Sequence, residues 1–232
     1  MSTLLLRLAA PLQSWGAYSR FNRRTTEREP TKSGVIGLVA AALGRRRTDS
    51  IDDLRELAFG VRIDQRGSLL HDFHTAHTES GQAFTSDRYY LEDAVFLVGL
   101  EGDEKLLSAI DAAVRSPVFP LFLGRRSCPP TGRLSPGIRD SDLSTALRNE
   151  PWQASPWYQR RRDTRRSLEF VRDDYGDGAV FALPDNPLSF NQQYRQYAYR
   201  GTVRGSINIA GRAETEHDPF NALAAFETED GI

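Results

Sequence analysis

The sequence predicts an α+β fold of the ferredoxin-like βαββαβ kind, with a less regular C-terminal part. Two observations support this prediction. Short apolar runs typical of strands alternate with helical segments, largely in that order, along the N-terminal half of the chain. The 232 residues, of which 39% are hydrophobic and 26% charged, are enough for an ordinary globular core in one or two domains.

The clearest elements lie in the N-terminal half. The predicted strands lie at residues 3–9, 59–64, 69–77 and 89–100, and the predicted helices at residues 31–43, 50–58 and 103–115. Thr31 or Ser33 can cap the first helix and Gly44 can end it, while Pro117 ends the last one. The second and third strands are expected to form a hairpin around Gly67. An open sheet of this order is the plan of RNA-recognition domains, although the plan alone does not establish a function.

Beyond residue 120 the pattern weakens into loops rich in proline and arginine. One short helix is predicted at residues 143–148, and strands are predicted at residues 168–171, 179–183 and 197–209. We therefore expect residues 1–135 to form the core domain. Residues 136–232 are expected to form a C-terminal extension that completes the sheet, with loops and an acidic tail.

Cysteine usage and hydropathy indicate a cytoplasmic protein. Cys128 is the only cysteine of the sequence, which excludes an intramolecular disulfide and a multi-thiolate zinc site and fits a reducing compartment. The apolar run at residues 4–6 is interrupted by Arg7 and follows no basic segment, so it is too short for a signal peptide. No stretch of the sequence approaches the ~20 apolar residues of a membrane span.

Charge is distributed unevenly along the chain, although the net charge is only −1. Residues 1–47 contain nine basic and two acidic residues, a net charge of +7, and residues 120–166 have a net charge of +6. Residues 48–119 have a net charge of −8, and the tail contains six acids and no base. All thirty bases except Lys32 and Lys105 are arginine, which forks onto phosphates and stacks on bases. A compositional bias of the genome explains the arginine content equally well.

The long loop before the first helix carries the strongest binding signal. Residues 13–32 interleave five bases with three aromatic rings: Arg20, Arg23, Arg24, Arg28 and Lys32 with Trp15, Tyr18 and Phe21. This combination suits single-stranded RNA, because cations follow phosphates while rings stack on bases, each stack typically contributing ~1–3 kcal/mol. The alternative is a solvated loop whose aromatic rings fill the core.

The segment PTKSG, residues 30–34, stands where the first helix is predicted to begin. Free backbone N–H groups, the helix dipole, Lys32 and Ser33 could together hold a phosphate there. Gly34 follows Lys32 instead of preceding it, so this segment is not a nucleotide-hydrolysing phosphate loop. An ordinary helix cap is the alternative.

Three histidines, His71, His74 and His77, fall at three-residue spacing. A strand suits the surrounding apolar residues better than a helix, and strand alternation places His74 on the opposite face from the other two. We therefore expect no metal site. A general acid–base role in RNA cleavage is the remaining chemical option, beside a structural role.

Two further basic segments lie in the second half. The segment LGRRSCPP, residues 123–130, predicts a rigid turn that can aim Arg125 and Arg126 at a nucleic-acid backbone. Cys128 within it is expected to be a buried thiol rather than a nucleophile. The segment RRRDTRR, residues 160–166, can bind RNA or an acidic partner, or can be a solvated surface.

Specific strings occur in a fixed order along the first 135 residues: LLLRLAAPLQSWG, SRFNRRTTEREPTKSGVIGLVAAALG, DFHTAHT, YYLEDAVFLVGL and LFLGRRSCPP. Together they resemble the CasD family of type I-E CRISPR Cascade subunits, with PTKSGVIGL and LGRRSCP as the most specific strings. The remainder of the chain matches this family only in length and general character.

The resemblance implies a RAMP-type ferredoxin-like domain with a protruding thumb at residues 78–90, which wedges between guide nucleotides or against a partner subunit. It implies a non-catalytic, cofactor-free subunit that caps the 5′ handle of the crRNA. The implied protein partners are the backbone subunit CasC and the large subunit CasA, within an antiviral complex that also holds CasB and CasE. Carried over by position, the candidate RNA-binding residues are Gln13, Ser14, Trp15, Arg20, Arg23, Arg24, Lys32, Ser33, His74, Arg125 and Arg126.

Two rival functions stay open at this point. The chain could be a metal-independent endoribonuclease that processes repeat RNA, as a related type I-C member of the family does. His74 or His77 would then assist attack by a ribose 2′-OH, with Lys32 or an arginine stabilising the pentavalent phosphorus. The chain could also be a scaffold without RNA contact.

Overall fold

The computed structural model describes residues 1–17, 23–161, 166–176 and 181–209. Within these ranges the strands are β1 Ser2–Ala9, β2 Leu12–Gln13, β3 Arg23–Arg24, β4 Ala58–Gln65, β5 Ser68–His77, β6 Ala83–Glu92, β7 Val95–Gly102, β8 Gly137–Arg139, β9 Arg166–Asp173, β10 Phe181–Ser189 and β11 Gln196–Ile209. The helices are α1 Lys32–Ala42, α2 Asp52–Arg55, α3 Glu104–Arg115, α4 Leu143–Asn149 and α5 Pro156–Arg160. No helix in these ranges is long and apolar enough to cross a membrane.

The core is a ferredoxin-like unit of four antiparallel strands. β1 lies between β7 and β8, and β7 lies between β1 and β4. α1 connects β1 towards β4, and α3 follows β7, which completes the βαββαβ order. Strands β9, β11 and β10 continue the same sheet beyond β4, so its full order is β10-β11-β9-β4-β7-β1-β8.

Side-chain alternation along β1 divides the core into two layers. Leu4, Leu6 and Leu8 are fully buried on one face of the sheet, in the cluster that also contains the apolar residues of α1 and α3. Leu5 points to the other face and packs with Leu143 of α4. The sheet is therefore covered by α1 and α3 on one side and by α4 on the other.

The N-terminus of α1 is fixed by its own cap and by the loop after β1. The Oγ1 atom of Thr31 accepts a hydrogen bond from the N–H of Gly34 at 3.3 Å. Gly34 also makes room for the ring of Trp15, because a Cβ at this position would lie 2.8 Å from the Cε3 atom of that ring. Helix and loop are therefore positioned as one unit.

The predicted hairpin around Gly67 is wrong. β4 pairs with β7 and β9, whereas β5 pairs with β6 along its whole length. The predicted strand at residues 89–100 is likewise two strands, separated at Asp93, whose φ angle is +51°. The apolar pattern of β4 runs on into β5, and that of β6 runs on into β7. The ends of these strands are therefore set by which strands pair, and the local sequence pattern does not contain that information.

β5 and β6 form a long hairpin inserted between the core strands β4 and β7, here called the thumb hairpin (Ser68–Glu92). Strands β2 and β3 pair with the other edge of β6 and complete a small second sheet. Phe73 and Phe84 of the hairpin are exposed. The segment 78–90, expected to form a thumb, lies within this hairpin.

The C-terminal half adds α4, α5 and three strands to the core sheet. The helix predicted at residues 143–148 is α4, and the three strands predicted after it correspond in position to β9, β10 and β11. The acidic tail from residue 213 lies outside the described residues, and so do residues 210–212 and the segment 162–165.

Candidate RNA interface

A cleft of about 530 Å³ opens beside the N-terminus of α1. The loop after β1, strand β3, the turn before Cys128 and the start of β11 meet there. The lining residues are Ser14, Trp15, Gly16, Arg24, Thr25, Thr31, Ser33, Gly34, Gly124, Arg125, Arg195 and Tyr197. Of the lining residues that the structure describes, three are arginine and none is acidic, so the cleft favours an anionic ligand.

Arg125 is anchored at the wall of the cleft while one of its nitrogens stays unpaired. Its Nη2 atom donates to the carbonyl of Arg24 at 2.8 Å, and its guanidinium carbon lies 4.6 Å from the centroid of the Tyr90 ring. Its Nη1 atom is buried and has no hydrogen-bond partner within the described part of the chain. A buried guanidinium N–H without an acceptor costs free energy, which a phosphate oxygen bound in the cleft would offset.

A tight turn holds Arg125 in this position. The N–H of Leu123 donates to the carbonyl of Cys128 at 2.7 Å, and the N–H of Ser14 donates to the carbonyl of Leu123 at 3.1 Å. Gly124 has a φ angle of +84°, and a Cβ there would lie 1.6 Å from the carbonyl oxygen of Ser14. The turn therefore requires glycine at this position.

The ionisation of Tyr90 reflects the positive charge at this wall. Burial alone raises the pKa of the Tyr90 hydroxyl. The nearby side chains of Arg125, Ser127 and Arg88, together with the charge of Arg125, outweigh that effect, and the pKa is lowered overall.

Strand β3 brings Arg23 and Arg24 to the rim of the cleft. It pairs in parallel with β6 at Asp87 and Arg88, and both of its arginines are exposed. The guanidinium carbon of Arg23 lies 5.5 Å from the centroid of the Tyr89 ring, whereas Arg24 lines the cleft itself. These two predicted residues are therefore placed where they can reach an RNA backbone.

Gln13 and Ser14 are buried and form the framework of the cleft. The Nε2 atom of Gln13 donates to the carbonyl of Ala94 at 2.7 Å, and its Oε1 atom accepts from the Nε1 of Trp15 at 3.1 Å. The Oγ atom of Ser14 donates to the carbonyl of Tyr89 at 3.1 Å. These side chains connect the loop to the base of the thumb hairpin.

Trp15 belongs to the core, with 1% of its surface exposed. Its backbone N–H donates to the Oγ1 atom of Thr26 at 2.8 Å, and its backbone carbonyl accepts from the N–H of Glu27. The base stacking predicted for Trp15 is contradicted by this burial, because neither face of the ring is open to a base. The alternative, in which a ring of the loop fills the core, fits Trp15.

Lys32 is buried and paired inside the protein. Its Nζ atom lies 3.3 Å from Asp173, and Arg200 forms ion pairs at 2.7 Å with both Asp173 and Asp185. Burial lowers the pKa of Lys32, and the charge and hydrogen bond of Asp173 only partly oppose this. The phosphate contact predicted for Lys32 is therefore contradicted, and so is its role in stabilising a phosphorane.

The backbone at the start of α1 is likewise satisfied from within. The N–H of Lys32 donates to the carboxylate of Asp185 at 2.9 Å, and the N–H of Gly34 donates to Thr31. Of the two interpretations of residues 30–34, the structure fits the helix cap. Ser33 still lines the cleft.

His74 and Arg126 lie apart from the cleft. His74 is exposed on β5, and Arg126 is exposed in the turn after Gly124, but neither lines the cleft. The strand predicted for the histidines is confirmed, so His71 and His77 share the face opposite to His74. Arg20 lies outside the described residues.

Arg195 and Tyr197 line the cleft but were not among the predicted site residues. The sequence around them, YRQYAYR, interleaves arginine with aromatic rings as the N-terminal loop does. That signal could have identified them. Only the pairing of β11 with β10 and β9, however, brings this segment to the N-terminus of α1.

Comparisons with known proteins place the chain in a family. The family model for CRISPR-associated proteins described as Cas5 matches residues 3–203. The chain belongs to the Cas5 family. This Cas5 chain is also 36% identical over 234 residues to the CRISPR system Cascade subunit CasD of Escherichia coli strain K12, with 90% of the chain and 99% of that relative covered.

Solved structures agree with this assignment. The Cas5 chain is similar to a crystal structure of a Cas protein, with a TM-score of 0.72 and 36% identity over 90% of this chain and 98% of the other. It is also similar to a chain of a CRISPR RNA-guided surveillance complex, with a TM-score of 0.77 and 31% identity over 97% and 99% of the two chains. These matches confirm the predicted α+β fold of the ferredoxin-like, RAMP type.

Proposed function

We propose that this Cas5 chain is a non-catalytic subunit of a type I-E CRISPR Cascade complex that holds the 5′ handle of the crRNA. The observation that carries the proposal is the acid-free cleft with Arg24, Arg125 and Arg195, one of which keeps a buried nitrogen unpaired. The similarity to a Cascade subunit and to a chain of an RNA-guided surveillance complex supports it.

Within the cleft, the three arginines take the phosphates of the handle, since guanidinium groups match phosphate oxygens in pairs. Tyr197, which is 41% exposed, takes the stacking role for which Trp15 is too deeply buried. Trp15 instead supports α1 from below. The framework around these side chains also contains Gln13, Ser14 and Ser33.

His74 is exposed on the thumb hairpin, and Arg126 is exposed in the turn after Gly124, so both can reach RNA outside the cleft. We propose that the hairpin wedges between guide nucleotides or against the backbone subunit CasC. The acidic stretch of residues 48–119 suits contact with protein rather than RNA, including the large subunit CasA, in a cytoplasmic complex that also contains CasB and CasE.

The test is the binding of handle RNA to the full chain at several salt concentrations. The triple variant R24A/R125A/R195A is expected to weaken binding at least tenfold at physiological salt. Each phosphate contact with a single strand contributes about 0.7 to the magnitude of the slope of log K against log salt concentration. If each arginine neutralises one phosphate, the triple variant should lower that magnitude by about 2. The control is R55A, because Arg55 lies on α2 and pairs with Asp52. Unchanged affinity and slope in the triple variant would remove the cleft as the handle site.

A further inference from the structure

We propose that the chain has a second binding site for single-stranded RNA, at Trp157, Arg160 and Arg161, here called the α5 patch. It is separate from the cleft and does not depend on the function proposed for the cleft. The α5 patch follows α4, which covers the face of the sheet opposite to α1. It is tied to the end of β4 through Asp64 and Gln65.

The exposed groups of the α5 patch are an indole ring and two guanidinium groups. Trp157 is 44% exposed, and the guanidinium carbon of Arg161 lies 5.7 Å from the centroid of its ring. The edge of Tyr158 meets the same ring at 5.6 Å and 87°. Both arginines are exposed, and neither forms an ion pair with any residue in the described ranges.

A hydrogen-bonded base holds the α5 patch in place. The N–H and Oγ of Ser155 donate to the Oε1 atom of Gln65 at 3.1 and 2.7 Å. The Nε1 of Trp152 donates to the carbonyl of Asp64 at 2.9 Å, and the Nε2 of Gln159 donates to the carbonyl of Trp152 at 3.2 Å. Because Asp64 and Gln65 are buried, the exposed indole is carried on a rigid support, as a recognition site requires.

The chemistry of the α5 patch fits unpaired bases and their phosphates. Aromatic rings and guanidinium planes are the groups on which splayed RNA bases stack, and exposed arginines follow the backbone. An acidic protein surface would pair with Arg160 and Arg161 mainly through charge, whereas single-stranded RNA uses the two guanidinium groups and the ring of Trp157 together. The observed combination therefore favours RNA over an acidic protein partner.

The test titrates the full chain with a fluorescein-labelled 12-nucleotide oligouridine, which has no handle sequence. W157A is expected to weaken binding about 5- to 160-fold, the range for loss of one base stack. R160A/R161A is expected to lower the magnitude of the salt slope by about 1.4, for two single-stranded phosphate contacts. Binding is also expected to quench tryptophan fluorescence in the wild type. In W157F the quenching disappears while most of the affinity remains, because phenylalanine still stacks.

Two controls separate this site from the cleft and from general charge effects. R46A/R47A makes the same change of charge in the turn after α1 and is expected to leave oligouridine binding unchanged. The cleft variant R24A/R125A/R195A is expected to lose handle binding but to keep the quenching of Trp157 by oligouridine. Circular dichroism and the melting temperature identify any variant that fails to fold. If W157A does not fold, the loss of quenching in W157F, with most of the affinity kept, tests the proposal instead.

Several outcomes would overturn the proposal. Equal affinities for wild type, W157A and R160A/R161A would do so, and so would loss of oligouridine binding in the cleft variant alone. Binding of oligothymidine without oligouridine would assign the patch to DNA. Binding of a glutamate-rich peptide in place of oligouridine would assign it to an acidic protein partner.

Discussion

Single residues decide what the cleft can bind, and Arg125 is the clearest case. Its backbone lies in a turn that requires Gly124, its Nη2 atom is held by the carbonyl of Arg24, and its side chain lines the cleft. Gly124 and Arg24 therefore position this guanidinium group before RNA binds. Such preorganisation reduces the entropy lost on binding.

Gly124→Ala is expected to destabilise the fold and to weaken handle binding together. The φ angle of +84° costs an L-residue about 1–2 kcal/mol, and the contact with Ser14 raises the total to roughly 2–4 kcal/mol. Urea unfolding and handle titration measure the two effects. Gly176→Ala is the matched control, since its φ is +86° but no atom lies within 4 Å of the added Cβ. Equal losses in the two variants would disprove the clash.

Cys128 is expected to be unreactive in the folded chain. It is buried, and burial raises the pKa of its thiol, an effect that a hydrogen bond with Ser127 and the charge of Arg125 only partly oppose. Iodoacetamide at mildly alkaline pH should therefore modify the native chain at least about 100-fold more slowly than the chain in denaturant, as followed by mass spectrometry. A native rate close to that of a free thiol would restore the nucleophile hypothesis.

At the scale of elements, buried ion pairs fix how the C-terminal strands meet the core. Arg200 on β11 connects Asp185 on β10 with Asp173 on β9, and Lys32 at the start of α1 joins the same group. Although burial lowers the pKa of Arg200, the two aspartates raise it overall. This network places β11, and with it Arg195 and Tyr197, beside the cleft.

Arg200→Met is expected to destabilise the chain by about 3–5 kcal/mol, because it leaves the fully buried carboxylate of Asp185 without its counter-ion. Urea unfolding measures this loss of stability.

The control for this prediction is Arg45→Met, which removes a partly exposed ion pair with Asp53. Its effect should stay within about 1 kcal/mol. A similar small effect of Arg200→Met would mean that the network does not hold the C-terminal strands in place.

At the scale of the whole molecule, basic and acidic residues are concentrated in different segments, although the net charge is only −1. The basic N-terminal block and the basic turn around Arg125 meet at the cleft, although they are about 100 residues apart in sequence. The thumb hairpin extends from the acidic middle segment. A nearly neutral protein can in this way present one RNA-binding side and keep other surfaces for protein contacts.

Purified chain incubated with repeat RNA in chelator is expected to leave the RNA intact. The reason is that Lys32, the proposed stabiliser of a phosphorane, is paired with Asp173, while His74 is exposed on the thumb hairpin. Denaturing gel electrophoresis over several hours measures the result. Specific cleavage that disappears in His74→Ala would establish the endoribonuclease instead.

In the assembled complex the chain is expected to contact RNA directly. Ultraviolet crosslinking is expected to label the chain at the cleft, because a uridine stacked on Tyr197 lies within reach of a reactive ring. An unlabelled chain in an otherwise labelled complex would support the scaffold function.

The sequence by itself determined the ferredoxin-like order, the strand of the histidines and the buried thiol, because each depends on periodicity or local turn chemistry. It also predicted Arg24 and Arg125 as binding residues, and both line the cleft. Only the tertiary structure decided the pairing of β5 with β6, the burial of Trp15 and Lys32, and the arrival of Arg195 at the cleft. A pattern of residues records which side chains are apolar or charged. It does not record which strand lies beside which, and that pairing decides whether a lysine meets an aspartate or a phosphate.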